Sequence, residues 1–123
     1  MVNPNIAAVS SFTLESVVNS IASTAAATAL SNAADSGEVL EVYSALFANI
    51  DGADSVDVTL ELVKAAGAVA PLVFGITVDA QASEVVISKE WPVVLQEGDY
   101  LRRSASVGGA AAYTISFRRY TSS

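Results

Sequence analysis

Val56-Asp57-Val58-Thr59-Leu60-Glu61-Leu62-Val63 decides the fold class. Val56, Val58, Leu60 and Leu62 share one parity, and Asp57, Thr59 and Glu61 share the other. A pleated strand sends successive side chains to opposite faces. The segment therefore reads as an antiparallel strand with one face in a core and one in water. Just upstream, Asp51-Gly52 is strong hairpin chemistry and closes a longer predicted strand over 38–50. In that strand Leu40, Val42, Ser44, Leu46, Ala48 and Ile50 fall on one face, and Val39, Glu41, Tyr43, Ala45, Phe47 and Asn49 on the other. Both faces are partly apolar, which suits one to a core and the other to a neighbouring subunit. Tyr43 and Phe47 are the candidate contact residues on the second face.

The same grammar continues downstream. A small-residue link at 65–68 leads to a strand over 69–78, where Pro71 marks an edge or a start and Gly75 a bend or bulge. Shorter strands follow at 84–88 and 93–95, with Trp91-Pro92 between them. Gln96-Glu97-Gly98-Asp99 reads as a tight turn into a strand over 100–107, and Gly108-Gly109 turns again. The strand over 112–120 puts Tyr113, Ile115 and Phe117 on one face. Upstream, Asp35-Ser36-Gly37 is a turn, and 11–34 admits two readings. Leu14, Val17, Val18, Ile21 and Ala25 recur at helical spacing. The many Thr, Ser and Val residues and the nearly uncharged outer face favour two strands instead, over 12–21 and 26–34. Residues 1–10 have no period and read as an N-terminal arm ahead of a single domain over 11–123. Eight or nine short strands without alternating helices imply an all-β fold, an antiparallel two-sheet sandwich of jelly-roll or Greek-key type.

The chain has 123 residues, no histidine and no cysteine. Imidazole and thiol chemistry, soft metal ligands and disulfides are therefore excluded. The net charge is −7, which disfavours nucleic acid as a partner. No apolar run reaches the length of about eighteen residues that a membrane helix needs. The opening residues lack the basic flank of a signal peptide, so the expected product is soluble and made without signal-directed export. Candidate sites are few. Lys64 and Lys89 sit at strand ends among ordinary polar residues. Glu97 and Asp99 are the nearest carboxylate pair, and Gly98 between them points to a solvated hairpin tip. Asp51, Asp54 and Asp57 do not fit a calcium loop and leave at most a weak cation site. Gly108-Gly109 lacks the helix and Lys-Ser/Thr of a phosphate loop. Trp91 reads as a lid on the end of the core rather than as a stacking platform for sugar. No cofactor is expected.

Charge is unevenly distributed. Every basic residue lies from Lys64 onward, while Glu15, Asp35, Glu38, Glu41, Asp51, Asp54, Asp57 and Glu61 precede it. Arg102-Arg103 and Arg118-Arg119 are adjacent pairs on strands, so one arginine of each must face inward. A buried guanidinium needs a carboxylate or carbonyls. Either these residues sit at strand ends and reach water, or all four line a subunit interface that meets the acidic half of a neighbour.

Leu30-Ser31-Asn32-Ala33-Ala34, Leu40-Glu41-Val42-Tyr43-Ser44, Ala48-Asn49-Ile50-Asp51-Gly52-Ala53, Val56-Asp57-Val58-Thr59, Val85-Val86-Ile87-Ser88-Lys89 and Val93 through Leu101 form a set of short stretches. Together they resemble small virion structural proteins of tailed bacteriophages. The resemblance covers 28–120 and carries over no site residues. It implies a non-enzymatic capsid decoration or cement protein on the virion surface, assembled in the host cytoplasm. Its implied partners are the major capsid protein or other virion proteins, and further copies of itself as a homo-oligomer. A neck or tail component and a carbohydrate-binding or adhesin module are the alternatives.

Overall fold

The computed structural model describes residues 9–122, with side chains from 12 to 121. Nine strands follow one another: β1 (Val9–Ile21), β2 (Ala27–Ser31), β3 (Glu38–Asn49), β4 (Val56–Val63), β5 (Val69–Val78), β6 (Ser83–Ile87), β7 (Val93–Leu95), β8 (Tyr100–Ala105) and β9 (Ala111–Ser122). One sheet runs β1-β9-β3 and ends on β6 and β7, which both pair with β3; the other runs β2-β8-β4-β5. All pairings are antiparallel. The pairs β1·β9, β2·β8, β3·β6/β7 and β4·β5 are nested. The chain is thus one long hairpin with its tip between β4 and β5, folded so that successive segments alternate between layers. That is jelly-roll topology, and the pairs β9·β3 and β8·β4 complete the sheets.

The two-strand reading of 12–34 holds. The second strand ends at Ser31, one residue before Asn32, whose backbone closes the Gln96–Asp99 turn (N–H to the Asp99 carbonyl, 2.9 Å; carbonyl from Gly98 N–H, 2.8 Å) while its side chain ties one end of the sandwich. Val9 and Ser10, expected in an arm, already belong to β1; the rest of that arm lies outside the described residues. β5 is an edge strand, as Pro71 suggested. Phe74 and Gly75 both oppose Thr59, whose Oγ1 accepts the Gly75 N–H at 2.9 Å, and Gly75 has φ 63°. This is a bulge at a glycine in the left-handed region, and it throws Phe74 into solvent.

The even alternation expected of β3 is broken. Its register with β9 shifts between Val42 and Ser44, leaving Tyr43 as the extra residue. Parity reverses there: Leu40 and Val42 face the core, then Ala45, Phe47 and Asn49. The bulge lets both halves of the strand send apolar side chains to the opposite sheet, while Leu46 turns outward and Ile50 is exposed. The core includes Ile21, Leu40, Phe47, Val58, Leu60, Leu95, Leu101, Ile115 and Phe117. Burying side chains of this kind contributes about 1.5–3 kcal/mol each.

A buried asparagine ties each end. Asn49 Nδ2 donates to the carbonyls of Asp54 and Val78, both at 2.9 Å, and Oδ1 accepts the Asp51 N–H at 2.8 Å. At the other end Asn32 Nδ2 donates to the carbonyls of Glu38 (2.9 Å) and Leu95 (3.0 Å), and Oδ1 accepts the Ser36 hydroxyl. These side chains replace the ladder where strands stop, so the turns keep their buried backbone groups satisfied.

Candidate interaction surface

No pocket opens among the described residues, so the candidate site is a surface. The four arginines alternate as their strands require. Arg102 points out from the second sheet and donates Nε to Glu61 at 2.9 Å. Arg118 points out from the first sheet, donates Nη1 to Glu41 at 3.0 Å and lies over the half-buried Tyr43 ring at 5.1 Å. Tyr120 donates its hydroxyl to the same Glu41 oxygen, and burial followed by that carboxylate raises its phenol pKa. Arg119 turns inward beyond the rim of the opposite sheet. Its Nε donates to Glu15 Oε2 at 2.7 Å and its Nη1 to Glu38 Oε1 at 2.6 Å. The Arg119 guanidinium, with the Thr13 hydroxyl, holds Glu15 below the usual carboxylate range. Arg103 also turns inward, over the Tyr113 ring at 5.8 Å, with Nη1 at 3.5 Å from the Ala25 carbonyl. Its Nε is buried without a hydrogen-bond partner.

Three of these arginines therefore meet carboxylates of their own chain. The acidic and basic halves fold onto each other, and half-exposed pairs of this kind contribute about 0–1 kcal/mol each. Phe47 is 1% exposed and belongs to the core, so it is not available to a neighbour.

Two further expectations are corrected. Glu97 and Asp99 are no solvated tip: each is 2% exposed. Asp99 accepts from Lys64 Nζ (2.5 Å), Ala65 N (3.0 Å) and Gln96 N (2.9 Å), and Glu97 Oε2 accepts from Gly37 N (2.9 Å). The three turns at the Asn32 end converge there, and their orphan N–H groups draw both carboxylates in. Trp91 is no lid. It sits 78% exposed in the connection between β6 and β7, which runs past the β3 bulge along the sheet edge. Of the tyrosines, only Tyr113 is buried in the core; Tyr43, Tyr100 and Tyr120 stay half-exposed. Two of the three acids weighed for a cation are engaged within the chain: Asp51 Oδ1 accepts from Ala53 N, and Asp57 Oδ1 from the Thr77 hydroxyl.

What the sequence reading missed is the contrast between the outer faces. On the second sheet, register places Thr28, Asp57, Thr59, Glu61, Thr77, Arg102 and Ser104 outward, a polar surface except at the β5 edge, where Pro71 and Phe74 are exposed. On the first sheet the outward set is Phe12, Leu14, Ser16 and Val18 from β1, Thr114 and Ser116 from β9, Ser44 and Leu46 from β3, with Val85 and Val94 beyond. Its only charges in register are the mutually paired Glu41 and Arg118. Phe12, Leu14 and Val18 are 56–69% exposed, and Val85 and Val94 are exposed too. The exposed apolar side chains thus flank a nearly uncharged centre of Ser and Thr, with β1 on one side and Leu46, Val85 and Val94 on the other, a face suited to contact. The signal was present in the alternation of Phe12, Leu14, Ser16 and Val18, but the competing helical reading obscured it.

No family model matches the chain, and no curated protein matches it. Solved structures do. A chain of the acidic stable capsid of Helicobacter pylori bacteriophage KHP30 aligns with a TM-score of 0.51 at 5% identity, over 94% of this chain and 91% of that one. A chain of the virus-like particle of the Macrobrachium rosenbergii extra small virus aligns at 0.50 and 8% identity, over 92% and 80%. A chain of the infectious bursal disease virus Gx strain aligns at 0.48 and 10% identity, over 93% of this chain but 33% of that one. This chain therefore spans about a third of the length of that last relative. At such identities the likeness is one of fold: an all-β chain of two antiparallel sheets, wound as in capsid chains of the first two particles.

Proposed function

We propose that this chain is a structural protein of a virus particle, a decoration or cement protein held in many copies on the head of a tailed phage. The observation that carries the reading is the contrast between a second sheet that is charged and polar up to its β5 edge and a first sheet whose outer face is nearly uncharged, with small Ser and Thr at its centre and exposed apolar side chains on either side. A protein that binds an assembled shell and not its loose subunits stabilises the shell by mass action. A rigid sheet face lined by Ser, Thr, Val and Leu suits close docking without a pocket. The likeness to small capsid chains over nearly their whole length supports the same reading.

The test is to purify particles, count copies of the chain and compare heat stability with particles lacking it. Many copies per head and a lower disruption temperature without the protein are expected. A copy number fitting a single ring would move the protein to the neck or tail. Absence from particles would end the reading. The exposed indole of Trp91 favours a second reading, glycan binding by stacking. Glycan-array binding that is abolished in W91A, with capsids stable in the protein's absence, would favour it.

A further inference from the structure

The geometry points to a homodimer in which the free edge of β1 pairs antiparallel with β1 of a second copy, about a two-fold axis at Ser16. This deepens the reading of the chain as an assembling shell protein and rests on it for the need to self-associate.

The four sheet edges differ in a way that singles out β1. β5 carries Pro71 and the Gly75 bulge. The β6/β7 edge is interrupted by the 88–92 connection with Pro92. β2 is five residues long and shifts register between Thr28 and Leu30. Short strands, proline and bulges are the devices that keep sheet edges from pairing. β1 has none of these three from Ser11 to Ile21: its register with β9 is unbroken there, it contains no proline and no lysine, and its one inward-pointing charge, Glu15, is paired with Arg119. Among the described residues its other edge has no strand beside it.

The strand is also self-complementary in one register. Pairing about a two-fold axis normal to the sheet places residues whose numbers share one sum opposite each other, on the same face. An axis at Ser16 sets Leu14 against Val18 of the second copy, twice, on the apolar outer face, with Ser16 against Ser16 at the centre. On the inner face Glu15 meets Val17 and Thr13 meets Asn19. An axis at Glu15 would set two carboxylates directly opposite each other, which is unfavourable. An axis at Leu14 would leave Val18 opposite Ser10 and keep a single apolar pair at the centre. An axis at Thr13 would set Phe12 against Leu14 twice, but it carries the pairing across the irregularity between Val9 and Ser11. The Ser16 register pairs only the unbroken stretch from Ser11 to Ile21, opposes apolar side chains twice with no like charges facing, and joins two outer faces into one surface across ten strands.

The chain has no cysteine, so single cysteines report the contact directly. Under mild oxidation S16C is expected to form a disulfide dimer, because directly opposed residues lie within bridging distance. L14C and V18C alone are expected to stay uncrosslinked, since each is about 13 Å from its own copy in this register. A mixture of L14C and V18C is expected to crosslink. L14K/V18K, both at exposed positions, is expected to weaken self-association about a hundredfold by replacing the apolar pairs with opposed like charges, while circular dichroism stays unchanged. Crosslinking of L14C alone, or of V18C alone, would overturn the register. If the wild type assembles yet S16C stays reduced and L14K/V18K assembles normally, the edge contact is wrong and the virion reading stands. That includes the case in which residues 1–8 of the same chain cover the edge, which deletion of 1–8 would reveal by permitting the S16C crosslink. A wild type that is monomeric at all concentrations and absent from particles would overturn both.

Discussion

Replacing Asn49 by alanine should be among the most damaging changes outside the apolar core. The side chain makes three hydrogen bonds, two donated to the Asp54 and Val78 carbonyls and one accepted from Asp51 N–H. Each is worth about 1 kcal/mol net, so the expected loss is about 3 kcal/mol. The bond to Val78 is fully buried, so its carbonyl would lose this donor where water cannot readily replace it. With a urea m-value of about 1.5 kcal/mol/M, the midpoint should fall by about 2 M at constant slope. Far-UV circular dichroism is the proper probe, because the single tryptophan is 78% exposed and reports little on the core. Asn49→Asp is the sharper variant. It keeps an acceptor for Asp51 N–H but turns a carboxylate toward two carbonyls, so it should destabilise at least as much at neutral pH and recover in acid as the carboxyl regains a proton. A loss below about 0.5 kcal/mol for the alanine variant, within ordinary surface variation, would refute the view that this side chain holds the end of the sandwich together.

Three other outcomes are expected. Glu15 is held below its ordinary carboxylate range by Arg119, so its contribution is fully present above the unfolded value of about 4.3 and is lost as pH falls through the lower folded value; an acid-unfolding series should show stability rising with pH across that window, and R119A should flatten the slope. At neutral pH the same variant should cost about 1 kcal/mol or less in thermal unfolding, because the pairs with Glu15 and Glu38 are half-exposed. Gly108→Ala should destabilise by about 1–3 kcal/mol, since a Cβ there would sit 2.7 Å from the Ala22 carbonyl oxygen, whereas Gly52→Ala, with only the Gln81 side chain at 3.7 Å, should be nearly neutral in the same melt. Phe117→Ala should cost about 3–5 kcal/mol in urea titrations, the price of an aromatic cavity at the centre of β9.

The strands were legible because their signal is local. Val56 to Leu62 announces its buried face by parity, Gly108-Gly109 marks a turn, and Pro71 and Gly75 pointed to an edge strand with a bulge; Asp51-Gly52 also turns the chain, but it carries it from one sheet to the other rather than closing the hairpin its residues suggested. What escaped was set by distant partners. Nothing near Tyr43 distinguishes a bulged strand from a straight one; the shift is imposed by the need to pack both Val42 and Phe47 against the opposite sheet. Glu97 and Asp99 look like a polar tip until the turns at 32–37 and 64–68 arrive from far along the chain and offer N–H groups to them. Trp91 followed by proline resembles a core lid, yet the split of the edge strand into β6 and β7 carries it outward. An inward-facing arginine was expected to need a carboxylate or carbonyls; Arg119 meets Glu15 and Glu38, whereas Arg103 has only the Ala25 carbonyl and the Tyr113 ring, and parity alone cannot tell which residues of the same chain supply such partners.

The nested pairing also fixes when this molecule can become itself. β9, the ninth strand to leave the ribosome, is inserted between β1 and β3, and without it β1 has no neighbour among the described strands. Until that keystone arrives, Val42 and Phe47 lack the cross-strand company that seals them, and joining residue 9 to residue 122 is a slow, long-distance closure. A nascent chain is therefore held unfinished and unable to complete the first layer until β9 has emerged.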